Sequence, residues 1–223
     1  MKITPMAVTL VDHMGTDLSV VNAARVSMAK ESEWEWSTLD QEVLPEKDAK
    51  LIKYLSEHNH WTPFGHAFAT FRIKTPIFIA RQLVKHQVGL CWNEVSRRYV
   101  DEEPEFWFPN SLRERPVGSI KQGSGGDHWA SRQWLSLLHQ RCEETLTVYK
   151  NMIGDCVAPE DARIILPLNT HTEWIWSGSL AAWGRVCKLR ISPHAQHATR
   201  ELAEKISDAM TKLFPASWSA LMS

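Results

Sequence analysis

Cysteine is scarce in this chain, and its copies are too widely spaced to act together. The 223 residues include four cysteines, Cys91, Cys142, Cys156 and Cys187, and no two of them form a CxxC pair. Short cysteine spacings are the usual mark of a structural zinc site, and a dense even set marks a disulfide framework. The pattern disfavours both. We therefore expect no metal site and buried free thiols, with Cys91 as the exception because it lies within the candidate site described below.

The sequence also lacks an excess of charge of one sign and any long apolar run. Its 25 Lys and Arg residues and 26 Asp and Glu residues leave a formal net charge of −1, which argues against a dedicated nucleic-acid surface. No apolar run approaches the roughly 20 residues that a membrane span needs, and the N-terminus shows no signal-peptide cleavage pattern. We therefore expect small-molecule partners, no nucleic acid, no membrane and a cytoplasmic location.

Apolar periodicity predicts an α+β fold with a small antiparallel sheet and several long helices. We expect strands at 7–11 and 66–74, and helices at 16–27, 48–58, 76–86, 129–153, 159–166, 178–190 and 192–214. In the second strand, Ala67, Ala69, Phe71 and Ile73 share one face. Residues 110–128 have no period and are rich in Gly and Ser, which indicates a loop. No boundary in composition divides the chain, so we predict a single domain over residues 1–223.

The segment from Arg81 to Tyr99, RQLVKHQVGLCWNEVSRRY, concentrates positive charge around a single acid, Glu94. Its cationic side chains are Arg81, Lys85, Arg97, Arg98 and, if protonated, His86, and its hydroxyls are those of Ser96 and Tyr99. Clustered cations with one acid and hydroxyl donors suit a ligand that carries a phosphate and a polar ring. The segment therefore predicts a nucleotide site.

Two other segments carry polar residues with competing structural and functional interpretations. Residues 60–66, HWTPFGH, are by themselves typical of a proline-containing turn with satisfied histidines. Arg163, in the apolar segment ARIILP, fits equally well a surface arginine whose stem lies along apolar neighbours. The residue patterns alone leave both alternatives open.

Together these segments resemble the sequence signature of the flavin-dependent thymidylate synthase family. The downstream half of that signature is present as Asn93-Glu94-Val95-Ser96-Arg97-Arg98-Tyr99, and Lys85-His86-Gln87 stands where the family has Arg-His-Arg. Residues 60–66 match the family's His-x-Thr-Pro-Phe-x-His segment, and Leu189-Arg190 with His194-Ala195-Gln196 matches its LR…HAQ segment. Arg163 and Arg190 are separated by the family's interval. The resemblance covers nearly the whole chain.

The resemblance implies a methyltransferase with oxidoreductase chemistry that converts dUMP to dTMP. It implies methylenetetrahydrofolate as one-carbon donor, FAD as cofactor, NADPH as reductant, and a homotetramer whose sites are shared between subunits. The residues it implies for dUMP binding are Gln82, Lys85, Glu94, Ser96, Arg97, Arg98, Arg163 and Arg190, with Arg163 contributed by another subunit. Those it implies for FAD or folate are His60, Thr62, Lys85, His86, Gln87, Val88, Ser179, Arg185 and His194.

The catalytic set that the resemblance implies is Arg190, Ser96 and His60. Negative charge collects on the ring oxygens and N3 when a pyrimidine reacts at C5 or C6, and a fixed guanidinium such as Arg190 stabilises that charge. Ser96 has no adjacent base in the sequence, so we expect a positioning hydroxyl and not a nucleophile. His60 is expected near the pterin or the substrate, and Glu94 is expected to orient neighbouring arginines.

Four positions depart from the family's pattern, all on the flavin side: Gly65, Gln87, Ser179 and Ala181. One extra residue separates Gln87 from Ser96, and we expect a bulge around Gly89 to accommodate it, because glycine tolerates unusual backbone angles. Trp61 or Trp92 is available to stack on a flat ring. The departures leave two alternatives open: a folate-dependent hydroxymethylase acting on dUMP or dCMP, and a nucleotide-binding homologue without catalysis.

Overall fold

The computed structural model describes residues 1–116 and 123–223, and the elements below belong to these residues. The strands are β1 (Lys2–Ile3), β2 (Ala7–Met14), β3 (Glu35–Trp36), β4 (Glu42–Val43), β5 (Phe68–Pro76), β6 (Leu90–Glu94), β7 (Glu105–Phe106) and β8 (His171–Ser179). The helices are α1 (Asp17–Arg25), α2 (Glu46–Glu57), α3 (Ile77–Leu83), α4 (Ser131–Gly154), α5 (Pro159–Ala162), α6 (Leu180–Ile191), α7 (His197–Leu213) and α8 (Pro215–Met222). The α+β class is confirmed.

Four strands form the central antiparallel sheet, in the order β2-β5-β8-β6. Ala69, Phe71 and Ile73 of β5 are fully buried, whereas Arg72 on the opposite face is exposed. The alternation follows from the pleat, because successive side chains of a strand point to opposite faces. The predicted strand and its buried face are confirmed, although β5 begins and ends two residues later than expected.

Aromatic side chains join the buried face of the sheet to α6. The ring of Trp183 lies edge-on to Phe71 of β5, at 5.1 Å between centroids, and to Trp176 of β8, at 4.8 Å. Its indole nitrogen donates a hydrogen bond of 3.1 Å to the carbonyl of Ala69, so this buried polar group is satisfied. The result is a rigid platform that fixes the start of α6 against β5 and β8.

The sequence prediction is wrong for two strands of this sheet. β8 lies between β5 and β6, yet the prediction assigns no strand to residues 171–179. The prediction also assigns no element to residues 90–94, which form β6. This segment forms a strand because Leu90 to Glu94 pair residue by residue with Gly178 to Trp174, which satisfies their backbone groups.

Several helix ends differ from the prediction, and those of α3 and α7 bear on the site. α3 ends at Leu83, three residues earlier than expected, because the next amides close turns: Val84 donates to the carbonyl of Ala80 and His86 to that of Leu83, each at 2.9 Å. The last predicted helix begins at His197 and not at Ser192, and it is followed by α8, which was not predicted.

The predicted loop at 110–128 has no helix or strand in its described parts, where Arg113 forms an ion pair of 2.6 Å with Asp127. Positions 117–122 of that loop lie outside the described residues. Of the expected buried thiols, Cys142 and Cys187 are buried, but Cys156 is exposed because it follows the end of α4 in a turn. No helix in the described part of the chain is long and apolar enough to cross a membrane.

Candidate nucleotide and cofactor site

The connection between α3 and β6 is a tight turn that only glycine fits. The amide of Leu90 donates to the carbonyl of Gln87 at 3.2 Å, and Gly89 between them has φ of 74°. A Cβ atom at Gly89 would lie 3.2 Å from the Cβ of Ala182 and 3.4 Å from the hydroxyl of Ser179. This turn lies where we expected the extra residue of the signature to be accommodated, and it brings the signature against the start of α6.

A cluster of basic side chains, the His86 cluster, joins this turn to α6; it consists of His86, Arg185 and Arg190. The Nε of Arg190 donates to the Nε2 of His86 at 2.9 Å. Arg185 donates from Nη2 to the carbonyl of Val88 at 2.7 Å. The pKa of His86 is lowered, first by burial and then by the positive charges of Arg190 and Arg185. The imidazole is therefore neutral at pH 7, with its proton on Nδ1.

The sequence analysis counted His86 as a cation only if it is protonated, and its lowered pKa disfavours that state. A neutral imidazole accepts from Arg190 and leaves the terminal nitrogens of the guanidinium free. No ion pair in the described residues joins Arg185 or Arg190 to an acid. The cluster thus carries positive charge available to an anionic or oxygen-rich ligand.

The other end of β6 opens on a cleft of about 350 Å³, the Glu94 cleft. Its lining combines three cationic side chains, Lys74, Arg97 and Arg163, with five carboxylates, Glu94, Glu102, Glu103, Glu105 and Glu173. Glu160 of α5 joins two arginines there: its carboxylate accepts from Nε of Arg98 at 3.1 Å, and its backbone carbonyl accepts from Nε of Arg163 at 3.1 Å. Within the described residues the terminal nitrogens of both arginines have no hydrogen-bond partner, and Arg98 is ion-paired with Glu160. Arg163, which makes no ion pair among these residues, is the guanidinium group better suited to a phosphate.

The sequence analysis expected Glu94 to orient neighbouring arginines, but its carboxylate binds other groups. Its Oε1 accepts a hydrogen bond of 2.6 Å from the hydroxyl of Thr172, and its Oε2 accepts one of 3.1 Å from the indole nitrogen of Trp92. Within residues 1–116 and 123–223, no ion pair links Glu94 to an arginine. The reason is the register of the sheet, which pairs Glu94 with Trp174 and leaves Thr172 diagonally opposite.

The other nucleotide-side residues are placed around these two centres. The hydroxyl of Ser96 accepts from the amide of Arg98 at 3.3 Å, and Arg97 donates from Nη1 to the carbonyl of Glu102 at 3.1 Å. Gln82 of α3 is half-buried, and its Oε1 is buried without a hydrogen-bond partner among the described residues. Lys85 is exposed beside the turn.

The flavin-side residues divide into exposed and buried groups. His60, Thr62, Gln87, Val88 and His194 are exposed, and the ring of His60 lies 6.0 Å from that of Tyr54. Ser179 and Ala181 are buried, and the hydroxyl of Ser179 caps α6 by accepting from the amide of Ala182 at 3.3 Å. Ser179 and Ala181, the two departures from the family pattern at the start of α6, are thus part of the interior and present no polar group to solvent.

The two tryptophans proposed for ring stacking differ in accessibility. Trp92 stacks on Trp174 at 4.0 Å between centroids and lies edge-on to Trp176 at 5.3 Å, so one face of its ring is already covered. Trp61 is 63% exposed and remains open to a ligand. Sequence reasoning missed Glu160 and Thr172. The carboxylate of Glu160 binds Arg98, 62 residues away in the chain, so local spacing gives no signal for this contact.

The His86 cluster and the Glu94 cleft lie at opposite ends of β6. Leu90 and Glu94 are four residues apart, which corresponds to roughly 13 Å along a strand. No hydrogen bond or ion pair in the described part of the chain joins Arg190 to Ser96, Glu94 or Arg163. The chain therefore presents its predicted substrate residues as two separate groups.

Comparison with known proteins gives a consistent result. Residues 9–216 match the family described as thymidylate synthase complementing protein. A flavin-dependent thymidylate synthase of Thermosipho africanus is 35% identical over 214 residues, covering 96% of this chain and 89% of that protein. One of Thermus thermophilus is also 35% identical, over 96% of this chain and 74% of its own length.

Solved structures give the same relationship. A UMP/dUMP methylase, PolB, from Streptomyces cacaoi bound with 5-Br dUMP superposes with a TM-score of 0.85 at 28% identity, covering 99% of this chain and 96% of that one. The same methylase bound with 5-Br UMP gives a TM-score of 0.84 at 27% identity. The predicted relationship is confirmed: the chain belongs to the thymidylate synthase complementing protein family, the family of the flavin-dependent thymidylate synthases.

Proposed function

We propose that the protein is a flavin-dependent thymidylate synthase, which transfers a methylene group from methylenetetrahydrofolate to C5 of dUMP and reduces it to the methyl group of dTMP. The observation that carries this proposal is the Glu94 cleft, which is lined by Arg97 and Arg163; within the described residues each of them makes one hydrogen bond, to a backbone carbonyl. Two guanidinium groups with an adjacent carboxylate, Glu94, match a nucleotide monophosphate, which has a dianionic end and hydrogen-bond donors on its sugar and base.

Arg190 would bind the pyrimidine edge and stabilise the charge that develops there. Its orientation by a neutral imidazole leaves its own charge unneutralised within the described residues, and a fixed cation is most effective when no internal anion competes for it. Ser96 would act as a positioning hydroxyl near the phosphate-binding arginines. His60, exposed beside Tyr54, would contact the folate or the substrate.

We further propose a homotetramer whose sites are shared between subunits. Arg190 and Arg163 belong to groups at opposite ends of β6, roughly 13 Å apart along the strand. If both arginines contact one nucleotide, one of them comes most simply from a second copy of the chain. Each site would then be complete only in the assembled oligomer.

The residues around the His86 cluster fit an anionic dinucleotide such as FAD. Lys85 and Arg185 are exposed, and His86 retains a free Nδ1 proton as a donor. These three residues would hold the diphosphate and the polar edge of the flavin ring. When bound, FAD would supply the redox capacity of the reaction, with NADPH as the external reductant.

A second substrate is favoured by one specific observation. The similar methylase from Streptomyces cacaoi is described as acting on UMP as well as dUMP and is bound with 5-Br UMP in one structure. The ribonucleotide UMP is therefore our second candidate substrate for the same chemistry. The four flavin-side departures from the family pattern, Gly65, Gln87, Ser179 and Ala181, motivate a third candidate, hydroxymethylation of dUMP or dCMP, which needs no net reductant.

The experiment that tests C5 chemistry is release of tritium from C5-labelled dUMP and UMP in the presence of methylenetetrahydrofolate, FAD and NADPH. We expect release with the wild-type protein and a loss of about a hundredfold in Arg190→Ala, because removal of one charge-stabilising donor costs about 2.7–4 kcal/mol. The matched control is Arg132→Ala, an exposed arginine at the start of α4, which should behave as wild type. Full activity of Arg190→Ala would refute the assignment.

A further inference from the structure

The carboxylate of Glu94 is held at both oxygens by neutral donors. Thr172 donates its hydroxyl hydrogen to Oε1 at 2.6 Å, and Trp92 donates its indole N–H to Oε2 at 3.1 Å. A carboxylate oxygen has two lone-pair directions, so each retains one for a further donor. Because neither partner is a cation, the carboxylate keeps its negative charge while its direction is fixed.

The two donors are themselves immobilised by the sheet. Trp92 and Glu94 are two residues apart on β6 and share a face, and the same holds for Thr172, Trp174 and Trp176 on β8. The ring of Trp92 stacks on Trp174, which is 1% exposed. The indole N–H therefore points in a direction set by core packing, and Thr172 is set by the β6–β8 register.

The held carboxylate faces the place where a ligand is expected. Glu94 and Thr172 both line the Glu94 cleft, together with Arg97 and Arg163. Arg97 and Arg163 supply donors for a phosphate. Of the five carboxylates in this lining, Glu94 is the one whose two oxygens are both held by neutral side-chain donors within the described residues. An acceptor fixed beside a phosphate site selects a ligand with a hydroxyl or N–H donor a few ångströms from its phosphate.

We propose that Thr172 and Trp92 are positioning residues that fix the carboxylate of Glu94 to accept a hydrogen bond from a sugar hydroxyl or base N–H of the bound nucleotide. This proposal rests on the proposed function for its ligand. Both residues are proposed to act through Glu94, to which Thr172 gives its hydroxyl hydrogen and Trp92 its indole N–H. One face of the Trp92 ring meanwhile lies on Trp174.

The test compares isosteric and conservative variants of the intact protein. Thr172→Val removes the hydroxyl and keeps the shape, Thr172→Ser keeps the hydroxyl, and Trp92→Phe keeps the stack and removes the N–H. Thr70→Val is the matched control, because the Thr70 hydroxyl also makes a cross-strand bond, 2.9 Å to Ser177, on the same sheet. Two quantities are measured: the Kd for dUMP and the NMR signal of the Trp92 indole N–H, assigned by its loss in Trp92→Phe.

We expect Thr172→Val to raise the Kd for dUMP about tenfold, as a lost bond to a charged group does, and to shift the Trp92 signal. Thr172→Ser should restore both quantities, and Thr70→Val should change neither. Wild-type Kd and an unmoved Trp92 signal in Thr172→Val would overturn the proposal. Equal weakening by Thr172→Val and Thr70→Val would also overturn it, because the hydroxyl would then serve only the sheet.

The two readouts separate this proposal from the proposed function. If the wild-type protein binds dUMP but Thr172→Val binds it equally well, the positioning role is wrong and the function stands. If the wild-type protein binds no pyrimidine nucleotide, the proposed function and the ligand of Glu94 are both wrong. In that case the Trp92 signal still decides whether the Thr172 hydroxyl holds the carboxylate.

Discussion

Arg190 keeps its charge available because the group that orients it is a neutral imidazole. A carboxylate in the position of His86 would hold the guanidinium equally well but would neutralise the charge that a reacting pyrimidine needs. The lowered pKa of His86, caused first by burial and then by Arg190 and Arg185, therefore serves the proposed chemistry. It also makes the folded protein sensitive to acid.

The pH dependence of stability follows from the direction of this shift. The folded state binds a proton at His86 less readily than the unfolded state does. The contribution of neutral His86 to the free energy of unfolding is therefore present above about pH 6.5, the ordinary pKa of histidine, and is lost as the pH falls below it. We expect His86→Gln, which keeps an acceptor for Arg190 but cannot titrate, to lose less unfolding free energy than wild type between pH 7 and pH 5.

The measurement is denaturant unfolding at several pH values and one fixed protein concentration. Burial also lowers the pKa of His171, but that contribution is common to both proteins and cancels in their difference. An identical pH dependence in wild type and His86→Gln would show that His86 is not held neutral by its surroundings.

Single residues of the site could be predicted from sequence only where a motif carries them. Arg98, Arg163 and Arg190 stand in recognisable segments, and the structure gives each a defined hydrogen bond. Thr172 carries no such signal, because its partner Glu94 is 78 residues away and is reached only through the β6–β8 pairing. Long-range register cannot be obtained from local spacing.

At the scale of elements, the approach of β6 to β8 depends on Gly178. A Cβ atom at Gly178 would collide with the side chain of Leu90 and lie 3.1 Å from the carbonyl of Gly89. The absence of a side chain there allows the turn at Gly89 to lie against β8. The position of the Gly89 turn then determines where His86 meets Arg190.

We predict that Gly178→Ala destabilises the protein by about 1–3 kcal/mol, the usual cost of overpacking, and weakens flavin binding by displacing the turn. Gly154→Ala is the control, because a Cβ atom at this last residue of α4 would meet nothing within 4 Å. Thermal unfolding at one protein concentration and flavin titration provide the two measurements. Wild-type stability in Gly178→Ala would contradict this account of the strand pairing.

The elements also show why some of the fold escaped prediction. The alternation in β8 is visible in Thr172, Trp174 and Trp176, but its segment runs directly into α6, and the sequence analysis assigns it no element. The start of α8 depends on Asp17, whose carboxylate accepts from the amides of Ala216 and Ser217 at 2.9 and 2.8 Å. A cap supplied by a residue about 200 positions away has no local signature.

At the scale of the molecule, the separation of the two groups of site residues is the main consequence of the fold. Each chain presents the His86 cluster at one end of β6 and the Glu94 cleft at the other. If sites are shared, an inactive Arg190→Ala chain and an inactive Arg163→Ala chain each retain the half that the other lacks. A mixed oligomer then contains some sites with both halves intact.

We therefore predict complementation between these two variants. Co-expressed with different tags and purified on both, Arg190→Ala and Arg163→Ala chains should recover activity that neither has alone. The control is a double variant that carries both changes, co-expressed with wild type in the same way. Its activity shows how much is lost when active chains are mixed with inactive chains. Mixed oligomers with no activity would mean that each site is complete within one chain.

The most direct test of the central proposal is the mass of the nucleotide formed from dUMP with methylenetetrahydrofolate, FAD and NADPH. The account predicts a product heavier by one CH2 group, identical to dTMP, whose formation requires both FAD and NADPH. A product heavier by a CH2O group and formed without NADPH would contradict it in favour of hydroxymethylation, and tight dUMP binding without any product would contradict it in favour of a non-catalytic homologue.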